Sequence, residues 1–214
     1  TMAMLEKEYE IFVKQTEDEL AVINMAIGSA QTGARTMLGT SGGGFSLMVE
    51  ALGFAALSET PLVIAEVQRP GPSTGLPTWT EQGDMQFVAH ASQGDFPRCV
   101  LVPGDPEEAF FMTAQAQSLA EKYQMPIIIL SDKHLSESNY CHEYFDQKKT
   151  SIERGKLLSD KVLARKKDFK RYAVTSDGIS PRSIPGQEGG IFLANSDEHD
   201  EFGYSEESAE NRIE

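Results

Sequence analysis

Three features predict an α/β fold in which a parallel sheet carries helices on both faces. The runs PLVIAEV (61–67) and PIIIL (126–130) are nearly continuous in Val, Ile and Leu, as strands buried on both faces are. Segments of helical spacing alternate with such runs as far as Asp132. The chain has 214 residues and is 40% hydrophobic, which suits one domain, or one and a part, with a real core.

The first helix is expected over residues 17–33, with Thr16 as N-cap and Glu19 completing an S/T-x-x-E capping box. Ala21, Ala26, Gly28, Ser29, Ala30 and Gly33 keep it thin, so another backbone or a flat ligand can come close. A short strand over 35–39 leads through the turn TSGGGFS (40–46) into a helix over 45–57. The strand 61–67 follows, bounded by Pro61 and the loop QRPGPSTGLPT. Residues 81–91 are a helix candidate, 99–102 a strand, 105–123 a long amphipathic helix and 126–130 a further strand. The acidic start of the 105–123 helix suits the positive end of its dipole. In such a sheet functional loops gather at the carboxyl ends of the strands, which groups Thr40 to Gly44 with the loops after Val67 and Leu130. Beyond Ser131 the pattern dissolves, and Gly, Pro and Ser become frequent over 176–190. Residues 1–147 are therefore read as one domain, and 148–214 as a basic, then acidic connector that packs poorly alone.

Charge divides the connector. Residues 148–171 carry ten Lys and Arg against three acids, whereas 197–214 carry eight acids against Arg212; the chain as a whole has a net charge of −14. The basic run lacks interleaved stacking aromatics, so a solvated face or a subunit contact explains it better than nucleic acid. No window approaches the roughly 20 apolar residues of a membrane span, and TMAMLEKEYE is not a signal peptide. A cytoplasmic protein is expected. Cys99 and Cys141 stand far apart without a CxxC, which predicts free thiols and no zinc or iron–sulfur site on this chain.

Three devices follow one another near the front of the chain. Glu19 lies in a first helical turn, where capping and the helix dipole already favour an acid; the thin helix behind it suggests a ligand as well. TSGGGFS matches neither the P-loop nor GxGxxG, and reads equally as a tight turn or a ligand loop. Arg69 ends an apolar strand, where it can form a surface salt bridge or offer a bidentate fork to a carboxylate. Its three-proline loop is stiff, and Ser73 and Thr74 add hydroxyls for hydrogen bonding or for the turn.

In order, the segments EDELAVINMAIGSAQTGARTM, TSGGGFSLMVEALG, VQRPGPSTGLPT, QGDFPR and LSDKHLSES resemble the alpha subunit of the 2-oxoacid:ferredoxin oxidoreductases. The likeness spans Thr16 to Ser138 and is to the pyrimidine-binding (Pyr) domain for thiamine diphosphate. VQRPGPSTGLPT is most similar to the 2-oxoglutarate and branched-chain enzymes, with the pyruvate enzymes more distant. The resemblance implies oxidative decarboxylation of a 2-oxoacid with coenzyme A to an acyl-CoA, carbon dioxide and reduced ferredoxin. It implies that Glu19 hydrogen-bonds N1′ of the aminopyrimidine and so activates the cofactor's ylid. It assigns Arg69 to the substrate carboxylate, with Thr40 on the substrate side, and Ser41, Gly42 and Gly43 to the cofactor turn. Phe45 or Met48 is open as a pyrimidine wall, although both also suit the core.

The family's YPITPS-type segment is absent before Glu19, so the chain is expected to begin inside the Pyr domain. The segment after Ser180 resembles a connector to a following domain. Gln93 stands where relatives often have histidine and is given no proton-transfer role; His90 nearby suits a structural role. The resemblance places the diphosphate site, its Mg²⁺ and the iron–sulfur cluster on a partner beta subunit or other domains, and so implies a hetero-oligomer. The chain alone is then expected neither to hold the cofactor tightly nor to turn over, and to expose an apolar patch around Gly28, Gly43 and Arg69. Two alternatives stay open: another thiamine diphosphate-dependent decarboxylase or synthase, which would not reduce ferredoxin, and a nonenzymatic interaction module, in which Glu19 would be dispensable.

Overall fold

A computed structural model describes residues 2–213 and contains a wholly parallel four-stranded sheet of order β1-β2-β4-β3. A 3₁₀ turn, Met2–Leu5, and α1 (Glu6–Tyr9) lead to α2 (Glu19–Gln31), β1 (Met37–Thr40), α3 (Gly42–Leu57) and β2 (Leu62–Gln68). Then come α4 (Met85–His90), β3 (Cys99–Leu101), α5 (Pro106–Tyr123), β4 (Pro126–Asp132) and α6 (Lys133–Glu137), with α7 (Asp160–Leu163) and α8 (Ala209–Ile213) in the irregular C-terminal third.

The central pair β2 and β4 stays in register from Leu62 opposite Pro126 to Gln68 opposite Asp132. Successive side chains alternate between faces. Leu62, Ile64, Ile128 and Leu130 pack with Ile23 of α2, Phe45 and Met48 of α3 and Val88 of α4. Val63, Ile127 and Ile129 instead meet Ala116 and Ala120 of α5. Burial on both sides explains why these strands read as unbroken apolar runs, and the expected two-faced sheet is what forms. Among the described residues no helix is long and apolar enough to cross a membrane.

Three helix starts differ from the sequence reading, and two of them shape the site. Asp18, not Thr16, caps α2: its Oδ1 accepts from the Ala21 amide at 2.7 Å, while the Thr16 hydroxyl donates to the Asp18 carbonyl at 3.2 Å. Glu19 is thus the first helical residue rather than the reciprocal member of a capping box, and its carboxylate is released from capping. Helix α3 begins at Gly42 rather than Phe45, so the three glycines form its first turn behind the extended N-cap Ser41. Helix α4 begins at Met85 rather than near 81. Side chains before it are held to the end of β4 and the start of α6 instead: Gln82 donates to Asp132 Oδ2 at 2.7 Å, and Thr80 Oγ1 accepts from the His134 amide at 3.2 Å.

The C-terminal third is irregular, as expected, and it packs against the sheet domain rather than alone. Leu163, Phe169, Tyr172, Arg171 and Arg182 are buried. Arg171 reaches Glu59, past the end of α3, with Nη1 at 2.7 Å from Oε2 and Nη2 donating to the carbonyl at 2.9 Å. Glu121 of α5 is buried between Arg182, which pairs with it closely, and Arg154 Nε at 3.1 Å. Arg154 also donates to the Gly33 carbonyl at 2.6 Å. Lys156 and Lys170 pair with Asp177 and Glu201. Part of the basic run therefore fastens the segment to the sheet domain, by charge pairs that leave no periodic trace in sequence.

Candidate active site

The carboxyl ends of β1 and β2 open into a cleft of about 580 Å³. Gly42, Gly43 and Gly44 line it at the start of α3, Glu19 stands at the head of α2, and Arg69 through Thr74 form the opposing loop. A larger hollow of about 650 Å³ lies between the end of α3 and the C-terminal segment, near Phe54 and Tyr172, and holds none of the sequence-predicted site residues.

Among the described residues the Glu19 carboxylate has no hydrogen-bond or ion-pair partner. A Cβ added to Gly44 would lie 2.6 Å from Glu19 Oε1 and closer still to Thr40 Oγ1. Glycine at position 44 therefore lets the acid and the hydroxyl lie against the first turn of α3. Thr40 Oγ1 also donates weakly to the Ser41 carbonyl at 3.3 Å. The structure thus brings Glu19, Thr40 and the glycine turn together, although Thr40 does not itself line the cleft.

Arg69 completes the cleft from the other side. Its Nε is buried and makes no hydrogen bond among the described residues, and one Nη lies 3.8 Å from where a Cβ on Gly43 would be. The loop behind it folds back tightly: the Leu76 amide donates to the Pro70 carbonyl at 3.1 Å. Gly75 makes this possible, since it has φ +58° and a Cβ there would overlap that same carbonyl oxygen. Ser73 and Thr74 line the mouth.

Two assignments shift. Phe45 is fully buried and packs edge-on against Phe87 with ring centroids 5.3 Å apart. An apolar ring in the first turn of α3 gains more from the core than from the open cleft, so Phe45 lies behind the cleft and Phe87 is the aromatic that lines it. Met48 is also core. Ser41 does not line the cleft; its buried Oγ makes no hydrogen bond among the described residues, and its place is the N-cap position of α3. Gln93 and His90 lie outside the cleft, and His90 Nδ1 is engaged with the Gln86 carbonyl at 2.9 Å.

Sequence reasoning missed Asp84 and Glu66. Asp84 lines the cleft, with Oδ2 2.7 Å from a Cβ position on Gly42. Glu66 is fully buried in β2. A lone acid inside PLVIAEV was the available signal, because a buried carboxyl needs a reason to be there. Burial first, and then the neighbouring Asp84 charge and hydrogen bond, push the Glu66 carboxyl up to about 8; Arg69 opposes this. Among the described residues no three or more His, Cys, Asp or Glu side chains are grouped to hold a metal ion.

An open parallel α/β sheet thus sets an unpartnered acid, a glycine floor and an arginine at one carboxyl edge. The model of one family, described as pyruvate flavodoxin/ferredoxin oxidoreductase, thiamine diphosphate-binding, matches residues 1–214. The chain belongs to this family. The alpha subunit of 2-oxoacid:ferredoxin oxidoreductase 1 from Sulfurisphaera tokodaii is 47% identical over 208 residues, covering 96% of this chain and 32% of that protein. A 2-oxoglutarate synthase subunit, KorA, from Archaeoglobus fulgidus is 44% identical over 138 residues, 63% of this chain and 40% of the relative. The solved 2-oxoglutarate:ferredoxin oxidoreductase from Magnetococcus marinus, with 2-oxoglutarate, coenzyme A and succinyl-CoA bound, superposes with a TM-score of 0.93 at 38% identity. That match covers 99% of this chain and 36% of the other. The chain thus spans about a third of the length of the first of these relatives.

Proposed function

We propose that this chain is the part of a 2-oxoacid:ferredoxin oxidoreductase alpha subunit that holds the aminopyrimidine of thiamine diphosphate and the carboxylate of the substrate. The observation that carries this reading is the unpartnered Glu19 carboxylate, held against Gly44 in the cleft that Arg69 closes. The residues present fit the groups concerned. A carboxylate without a partner can hydrogen-bond a ring nitrogen, the glycine floor admits a flat ring, and a guanidinium with an unused donor suits a planar carboxylate.

Bound thiamine diphosphate would supply the carbanionic carbon that adds to the 2-oxo group. Glu19 holds a proton at N1′ of the pyrimidine, and Gly42 to Gly44 let that ring approach the backbone. Arg69 orients the 2-oxoacid, with Thr40 and Ser73 as hydroxyl neighbours. The whole reaction consumes a 2-oxoacid and coenzyme A, releases carbon dioxide and an acyl-CoA, and passes two electrons to ferredoxin. The VQRPGPSTGLPT loop and the relatives named for 2-oxoglutarate favour 2-oxoglutarate or a branched-chain 2-oxoacid over pyruvate.

The reading includes a partner. Relatives are named as alpha subunits; Leu47, exposed on α3, lines the cleft, and Leu20 and Met25 stand exposed on α2, with open space over Gly28. A beta subunit would cover this side and bring the diphosphate site, Mg²⁺ and iron–sulfur cluster, in a cytoplasmic hetero-oligomer.

The test is ferredoxin reduction by the full-length subunit assembled with its partner. Reduction should require a 2-oxoacid and coenzyme A together, fastest with 2-oxoglutarate or a branched-chain acid. Decarboxylation without ferredoxin reduction would place the protein among other thiamine enzymes. Arg69→Lys keeps the charge but loses the fork, so KM for the 2-oxoacid should rise about ten- to hundredfold with a smaller change in kcat. Gly44→Ala forces Glu19 and Thr40 apart. It should lower kcat about a hundredfold, although alanine is the better helix former, and circular dichroism should show the fold intact.

A further inference from the structure

Two buried carboxyl groups, Glu66 and Asp84, lie near one another and near Arg69, and their buried oxygens find no donor among the described residues. Glu66 is fully buried, and among the described residues neither of its oxygens has a hydrogen-bond partner. Among the described residues Asp84 Oδ2 is likewise buried and unpartnered, and the Asp84 carboxyl is close enough to Glu66 to raise its pKa. Asp84 is fixed in place, because its amide donates to Gln68 Oε1 at 3.0 Å and Gln68 Nε2 donates to the Ser131 carbonyl at 3.2 Å. Glu66 and Gln68 share one face of β2, the face that α3 and α4 cover.

We propose that Glu66 is a positioning residue that works in its neutral form, donating a hydrogen bond to Asp84 and leaving the Arg69 guanidinium available to a 2-oxoacid carboxylate. This rests on the assignment of Arg69 to the substrate carboxylate made above. Two adjacent carboxylates in a dry site cannot both hold full charge cheaply; one proton between them supplies the missing donor. The Glu66 carboxyl, buried and beside Asp84, titrates near 8 and so keeps that proton at neutral pH.

The charged groups facing Glu66 are few. Asp84 approaches from the loop before α4, and Arg69 follows at the end of β2. On the neighbouring strands its register partners are the uncharged Thr40 and Leu130. The turns of α3 over this face carry no charge before the exposed Glu50, and Glu19 of α2 stands beyond Gly44. With Glu66 neutral, Asp84 alone opposes Arg69 in the wall behind the substrate. Once Glu66 ionises, two negative charges neutralise Arg69 and repel the incoming carboxylate. Substrate binding should therefore weaken as pH rises through about 8, and the change should fall on KM rather than kcat.

The same proton has a stability signature. The Glu66 carboxyl titrates higher folded than its ordinary 4.5, so between these pH values the folded protein holds a proton that the unfolded chain has lost. Stability then falls as pH rises across that window. Glu66→Gln keeps a donor toward Asp84 and cannot ionise, so it should remove this loss.

The experiment uses the full-length subunit assembled with its partner, with KM for 2-oxoglutarate measured from pH 6.5 to 9 for wild type, Glu66→Gln and Arg69→Lys. Wild-type KM should rise about eightfold between pH 7.5 and 9, and the Glu66→Gln profile should lose that rise. The melting temperature of Glu66→Gln should exceed that of wild type by more at pH 7.5 than at pH 5. If Glu66→Gln shows the wild-type rise, or a melting difference independent of pH, while Arg69→Lys still raises KM, the role of Glu66 is refuted and that of Arg69 stands. If Arg69→Lys leaves KM unchanged at every pH, the assignment of Arg69 fails, and this proposal with it.

Discussion

Glu19→Gln should lower kcat of the assembled enzyme by about two to three orders of magnitude while leaving the fold, the subunit contacts and the 2-oxoacid KM close to wild type. Glutamine has nearly the same shape and still meets Gly44, but it cannot hold the proton at the pyrimidine nitrogen. The size of the effect follows from placement. Asp18 takes over the capping of α2, and Glu19 has no other partner among the described residues, so the substitution removes no structural interaction. An interaction module would tolerate the change at full activity. Steady-state ferredoxin reduction distinguishes the two, with circular dichroism as the control for folding.

The largest stability effect is expected at Glu121, far from the cleft. Its carboxylate is 2% exposed and joins Arg182 and Arg154. Glu121→Ala leaves the Arg182 guanidinium buried without a counter-charge, in a place where two of its nitrogens already lack hydrogen bonds. Breaking a buried pair from one side costs about 3–5 kcal/mol, read as a shift in the urea midpoint by circular dichroism. The double variant Glu121→Ala with Arg182→Met should recover part of that loss, because both buried charges are then gone. Arg154 is partly exposed and can turn to water. Equal instability in the single and double variants would mean that the lost packing, not the stranded charge, sets the cost.

The sheet and the cleft were legible in the sequence for different reasons. PLVIAEV and PIIIL read as buried strands because both faces of β2 and β4 are covered, which leaves no polar alternation to confuse with a loop. Glu19, Thr40, the glycine turn and Arg69 stand out in the sequence because each sits at a strand or helix end, and the carboxyl-edge rule for parallel sheets puts such ends together. The cap of α2 was misread because Thr16 and Asp18 both offer an oxygen in the right window, and only the backbone decides that Asp18 reaches the Ala21 amide. Sequence leaves Phe45 open between a pyrimidine wall and the core, because an apolar residue next to a glycine turn suits either. Once Gly42 starts the helix, Phe45 turns inward. The packing of the C-terminal segment was illegible because it depends on pairs such as Arg171 with Glu59 and Arg182 with Glu121, which join residues far apart in sequence. The carboxyl pair Glu66 and Asp84 was hidden for the same reason, since its meaning lies in the approach of a loop to a strand.

The central claim is that the Glu19 carboxylate meets the pyrimidine of the cofactor. The most direct measurement is the rate at which the thiazolium C2 hydrogen of bound thiamine diphosphate exchanges with deuterium, read by NMR after acid quench in wild-type and Glu19→Gln complexes. Exchange slowed at least about a hundredfold in the variant, with cofactor still bound, is the predicted result. Equal exchange rates in the two complexes would contradict it.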